Sequence, residues 1–128
     1  MNTKHVPSLE LCQEFDRLCK EKGIVVPWTE YQWEKRMGEW SIVKSKELGV
    51  PYIDTADMKL YLPAPLVSEQ GEWLPERSVI VKDHLISNPY VQAWFYHEGT
   101  YQQHANTEAN ARQKMLNYLI AEGVITNL

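Results

Sequence analysis

Two pairs of neighbouring residues combine a histidine with a carboxylate, Asp83 with His84 and His97 with Glu98. Such a pair could move protons as a general acid and base. Both pairs fall in, or at the end of, predicted strands, where consecutive side chains point to opposite faces, so the two members would not meet. The favoured interpretation of His97 and His104 is therefore a packed or surface histidine. A small hydrolase that uses His97 or His104 is kept as an alternative function.

The two cysteines, Cys12 and Cys19, lie on one predicted helix. The helical rise separates their Cα atoms by about 10 Å, which is beyond the roughly 7 Å that a disulfide can span. Both are predicted to be free and buried, in a reducing compartment. Burial raises the pKa of a thiol and so disfavours a nucleophilic role for either residue.

Motifs for metals, phosphates and serine nucleophiles do not occur in the sequence. It contains no CxxC, no HExxH, no G-x-S-x-G and no glycine-rich phosphate loop. A metal site built on His97 and His104 would lack a third ligand that the sequence could name. Asp54 and Asp57 are predicted to stabilise a turn. We therefore expect no catalytic residue, no metal and no cofactor.

The aromatic residues are the strongest functional lead. The chain has five Trp and seven Tyr but two Phe, which favours large rings with a polar tip over the purely apolar one. Trp28, Tyr31, Trp33 and Trp40 cluster in one predicted hairpin. Such residues concentrate at interfaces because they bury a large area and keep a hydrogen-bond donor. They form either one wall of the core or a surface that binds a protein partner, and a second copy of the chain is one such partner.

The charge balance restricts the kinds of partner. Thirteen Lys and Arg against seventeen Asp and Glu leave a formal charge of −4, which argues against a generic nucleic-acid binder. An accessory factor that stacks single-stranded nucleic acid on its aromatics remains an alternative, although Glu30, Glu34 and Glu39 surround them. The chain has no apolar run of about 20 residues for a membrane span and no apolar signal segment, so a cytoplasmic location is expected.

Helices are predicted at both ends of the chain and in its middle. Residues 9–22 repeat apolar positions at helical spacing between a Ser8 cap and a Gly23 stop. Residues 108–122 have a broad apolar face after a cap at Asn106 or Thr107. A short helix over 66–73 would have Pro65 as its first helical residue.

Strands are predicted between these helices. Their ranges are 28–36, 40–44, 58–62, 78–86, 90–97 and 100–104, and the last three form a meander. The element order predicts a single α+β domain over residues 1–128. In it, an antiparallel sheet of hairpins carries an N-terminal and a C-terminal helix packed on it, together with a short middle helix.

Two segments resemble a known family. Residues 68–75 read Ser-Glu-Gln-Gly-Glu-Trp-Leu-Pro after Pro63-Ala64-Pro65, and residues 107–120 contain Thr-Glu-Ala-Asn-Ala-Arg followed by Met-Leu-Asn-Tyr-Leu. They are similar to the Glu-Leu-Gly-Glu-x-Leu-Pro segment and the closing helix of a family of small uncharacterised proteins of tailed bacteriophages and prophages. Gln70 stands where that family has Leu. The resemblance implies a phage or prophage origin and a bacterial cytosol, and it implies no activity.

The resulting prediction is a non-catalytic interaction protein of the bacterial host cytosol. It would bind a protein partner through the aromatic-rich surface of Trp28, Tyr31, Trp33 and Trp40.

Overall fold

The computed structural model describes residues 5–45, 54–55, 58–59, 61–76, 78–83, 90–96 and 100–128. It confirms the α+β class. The helices are α1 (Leu9–Lys22), α2 (Val67–Trp73) and α3 (Glu108–Ala121). The strands are β1 (Tyr31–Arg36), β2 (Glu39–Lys44), β3 (Asp54–Thr55), β4 (Met58–Lys59), β5 (Tyr61–Pro63), β6 (Ser78–Asp83), β7 (Tyr90–Tyr96) and β8 (Thr100–Ala105).

Local capping sets the ends of the long helices. The Ser8 hydroxyl accepts from the Leu11 N–H at the start of α1, and Gly23 ends that helix in the left-handed conformation at φ 72°. Of the two predicted caps of α3, Thr107 is the one used, because its hydroxyl accepts from the Asn110 N–H.

The start of α2 differs from the prediction. The helix begins at Val67 after the N-cap Leu66, so the prediction that Pro65 is its first helical residue is wrong. The Glu69 carboxylate accepts from the Leu66 N–H at 2.7 Å and so closes the first turn of a helix that begins two residues after Pro65.

The described strands form two three-stranded antiparallel sheets and one two-stranded pair. The first sheet has the order β2-β1-β5 and the second the order β6-β7-β8, with β7 central as predicted. The predicted strand over 58–62 is divided, since Met58 pairs with Thr55 whereas Tyr61–Pro63 pairs with β1. Leu62 is buried opposite Trp33, and this burial assigns the second half of the segment to the first sheet.

Helix α1 connects two clusters of buried residues. Its C-terminal half, with Phe15 and Leu18, packs with α3 and β7 in the larger cluster. Its N-terminal half contributes Cys12 to a smaller cluster with Val6 and Ala64, against which Trp33 packs. The six apolar residues predicted to form the buried face of α3 are all fully buried. They are Ala109, Ala111, Met115, Leu116, Leu119 and Ile120.

Candidate binding groove

Three of the four predicted aromatics share one face of the first sheet. In the β1-β2 ladder Trp33 lies opposite Ile42, and Lys35 lies opposite Trp40. Directly opposed residues point to the same face, and so do alternate residues along one strand. Tyr31, Trp33 and Trp40 therefore project together, while the fourth, Trp28, precedes β1 and is 48% exposed.

The two tryptophans on this face have different surroundings. The Trp33 indole packs on the cluster of Val6, Cys12 and Ala64, and its N–H donates to the Pro7 carbonyl at 3.4 Å. The Trp40 ring is partly exposed, with Lys35 Nζ 6.0 Å from its centroid. Trp33 is thus partly a core residue, whereas part of the Trp40 ring is exposed to solvent.

These two rings form one wall of a groove of about 560 Å³. The starts of α1 and α3 form the other wall, and they are joined by a hydrogen bond of 2.8 Å from the Ser8 N–H to Asn110 Oδ1. The described residues that line the groove are Val6, Pro7, Ser8, Leu9, Glu10, Trp33, Trp40, Asn106, Thr107 and Asn110.

Several polar groups of the groove are available to a ligand. Within the described part of the chain, the Trp40 N–H, the Asn106 amide and the Glu10 carboxylate make no hydrogen bond, and Asn110 Nδ2 makes none either. Glu10 is the one charged residue among the described lining residues. Two indole faces beside a few convergent donors and acceptors are typical of a site that binds an apolar group and fixes its orientation.

The histidine candidates for catalysis are only partly described. The side chain of His104 is exposed on β8 opposite Gln92, and its backbone carbonyl accepts from Lys114 Nζ. His84, His97 and Glu98 lie outside the described residues, as does Asp57. Among the residues that are described, no group of three or more His, Cys, Asp or Glu could hold a metal ion.

Both cysteines are free and buried, as predicted. Burial raises the pKa of the Cys19 thiol to about 12 and that of the Cys12 thiol further. The Cys12 thiol faces the Pro7 carbonyl at 3.8 Å. A protonated thiol is a poor nucleophile, so the geometry gives neither cysteine a catalytic environment.

The polar wall of the groove was not found by sequence reasoning. The sequence predicts caps at Ser8 and at Asn106 or Thr107, and Ser8 and Thr107 are the caps observed. The sequence predicts no binding role for Glu10 or Asn110. The available signal was that both helix starts are rich in polar residues, but nothing local shows that segments 102 residues apart meet.

Comparisons with protein-family models, curated proteins and solved structures find no match to this chain. The family resemblance of residues 68–75 and 107–120 therefore stays a prediction. No helix in the described ranges has the length and apolar character to span a membrane.

Proposed function

We propose that the chain is a non-catalytic interaction protein whose groove binds an extended segment of a protein partner. The bound segment carries an apolar side chain next to a lysine or arginine. The observation that supports this most is the wall of Trp33 and Trp40 facing unengaged hydrogen-bond groups of two helix starts.

The chemistry of the wall favours a polypeptide segment. Tryptophan rings bury large apolar area at low entropic cost and are the commonest anchors of protein interfaces. An extended backbone has N–H and C=O groups that need partners. The Trp40 N–H and Asn110 Nδ2 can donate to its carbonyls, and the Glu10 carboxylate can accept from its amides.

The negative charge of the groove and of the whole chain favours a basic partner segment. Glu10 brings a negative charge to the groove, and the chain as a whole has a formal charge of −4. Complementary potentials favour a basic segment. The same charges oppose a phosphate backbone, so single-stranded nucleic acid is the weaker candidate.

The proposed setting is the cytosol of a bacterium, and the proposed origin is a phage or prophage. The support for this setting is the resemblance of residues 68–75 and 107–120 to the phage and prophage family. Thr107 and Asn110, which line the groove, belong to the second of these segments.

A display library of random dodecapeptides tests the proposed function. We expect selection on the folded chain to enrich peptides with an apolar residue next to Lys or Arg. Trp40→Ala should weaken their binding by at least about tenfold, as expected for an interface anchor. Trp28→Ala is the matched control, because Trp28 is exposed but lies outside the groove.

A single-stranded DNA oligonucleotide at low salt is the second arm of this experiment. Tryptophan quenching by the oligonucleotide that weakens steeply with salt would support the nucleic-acid alternative instead. The proposal is overturned if no peptide is enriched, or if the enriched peptides bind the Trp40→Ala protein as tightly as the original chain.

A further inference from the structure

The tip of the β1-β2 hairpin exposes a methionine in an unfavourable backbone conformation. Met37 is 98% exposed. Its φ is 53° and that of Gly38 is 83°, so both central residues of the turn have positive φ, as in a type I′ turn. Asn, Asp and Gly adopt this conformation more readily than an unbranched apolar residue. Neither local backbone preference nor burial accounts for a methionine here, which points to a contact made outside the chain.

The hairpin tip matches the chemistry of the groove. Lys35 and Arg36 precede Met37 in the sequence, so the apolar residue at the tip follows directly on two basic ones. The groove presents two tryptophan rings and the Glu10 carboxylate. A methionine thioether packs favourably against aromatic rings and adapts to an irregular space.

We propose that Met37 of one copy of the chain enters the groove of a second copy and packs against its Trp33 and Trp40, and that the second copy's Met37 makes the same contact in return. The dimer thereby covers the groove and regulates access to it. This inference rests on the proposed function of the groove as a site for an apolar side chain beside a basic one.

The placement of the tip permits a reciprocal contact. Trp40 follows Met37 by three residues on the same hairpin, so the tip and the groove lie at the same end of the first sheet. Two copies related by a two-fold axis near this end bring each tip to the other copy's groove, and the same patch is used by both. Each copy then contributes one methionine and one groove.

Sedimentation at increasing concentration tests the dimer. We expect the original chain to approach twice its mass of 15.0 kDa. Met37→Asn and Trp40→Ala should each reduce self-association by at least about tenfold. Met37→Asn should melt no lower than the original chain, since asparagine suits a positive φ, and this separates loss of contact from loss of fold.

Mixing the two variants is the decisive arm. The Met37→Asn chain keeps an intact groove, and the Trp40→Ala chain keeps an intact tip. An equimolar mixture should therefore associate more strongly than either variant alone and more weakly than the original chain. A mixture that associates no better than its components overturns the inference, and so does a Met37→Asn chain that associates as the original does.

The outcome is distinguishable from failure of the proposed function. Suppose that selected peptides bind the Met37→Asn chain at least as tightly as the original chain, and that the original chain does not self-associate. The dimer is then wrong, and the proposed function of the groove is supported. If the original chain self-associates through Met37 and no peptide binds, the proposed function is wrong and the dimer is supported.

Discussion

The Glu69 carboxylate stabilises two backbone segments at once. One oxygen accepts from the Leu66 N–H at 2.7 Å, and the other accepts from the Glu30 N–H at 3.1 Å. The residue therefore caps α2 and holds it to the segment that enters β1. Burial nevertheless raises the pKa of this carboxyl above its ordinary value, because the desolvation of the charged form outweighs the two hydrogen bonds.

This raised pKa gives a prediction about pH and stability. The folded chain holds the Glu69 proton more tightly than the unfolded chain does, so the contribution of Glu69 is fully present below the ordinary carboxyl pKa. It is lost as the pH rises through the higher pKa of the folded chain. Urea unfolding between about pH 4 and pH 7 should show a decline in stability that Glu69→Gln removes.

Two further measurements assign the pH dependence of stability to Glu69. Glutamine has one acceptor oxygen, so Glu69→Gln should also lose one hydrogen bond, or about 1 kcal/mol. Glu76→Gln, at an exposed position shortly after the same helix, is the control and should leave the pH dependence as it is, because Glu76 is not among the groups that raise the Glu69 pKa. A Glu69→Gln curve parallel to that of the original chain would contradict the prediction.

The burial and chemical state of single residues are easier to predict from the sequence than the contacts between distant ones. The burial and free state of the cysteines follow from the helical pattern, and both are confirmed. The cluster of Trp28, Tyr31, Trp33 and Trp40 is recognisable by residue type and spacing, but the groove that two of them line is not. Their groove neighbours Glu10 and Asn110 could not be predicted either, since those contacts depend on the packing of α1 and α3 and leave no local pattern in the sequence.

Three elements are held together by a buried chain of amides. Gln70 Nε2 on α2 donates to Gln113 Oε1 and to the Ala109 carbonyl on α3, each at 3.0 Å. Gln113 Nε2 then donates to Asn117 Oδ1 at 2.9 Å, and Asn117 Nδ2 donates to the Leu11 carbonyl of α1 at 3.2 Å. Gln70 Oε1 takes no part in these hydrogen bonds and is buried without a partner among the described residues.

The unpartnered oxygen predicts an unequal response to two leucine substitutions. Gln113→Leu removes a donor and an acceptor from the middle of the chain and should lower the free energy of unfolding by about 1–3 kcal/mol. Gln70→Leu should cost less than half as much, because it also removes the unsatisfied Oε1. Urea denaturation of both variants measures the difference, and equal losses would contradict it.

Helix ends are easier to predict from the sequence than strand pairing, for a physical reason. Ser8, Gly23 and Thr107 act within one turn of their own helix, so both ends of α1 and the start of α3 can be predicted from local sequence. The division of residues 58–62 depends on whether Leu62 is buried against Trp33, a contact across 29 residues of chain. Alternation along the segment gives no information about such a contact.

At the scale of the whole molecule, α1 is the element that connects the two sheets. Its Phe15 is fully buried in the larger cluster and stacks on Trp73 with ring centroids 5.9 Å apart. One turn earlier, Cys12 belongs to the smaller cluster beneath the first sheet. Because one helix contributes side chains to both clusters, unfolding of α1 would remove packing from both sheets at once.

We therefore predict that the chain unfolds in one transition. In a background of Trp73→Phe and Trp94→Phe, the remaining Trp28, Trp33 and Trp40 report on the first sheet and its entry by fluorescence. Far-ultraviolet circular dichroism reports mainly on the helices, and in urea the two transitions should coincide. Phe15→Ala leaves a cavity in the larger cluster and should lower both midpoints equally, with a loss of about 3–5 kcal/mol. Val25→Ala, at an 84% exposed position, is the control and should move neither midpoint. A fluorescence midpoint that stays in place while the dichroism midpoint falls in Phe15→Ala would show that the first sheet folds independently, and α1 would then not be the coupling element.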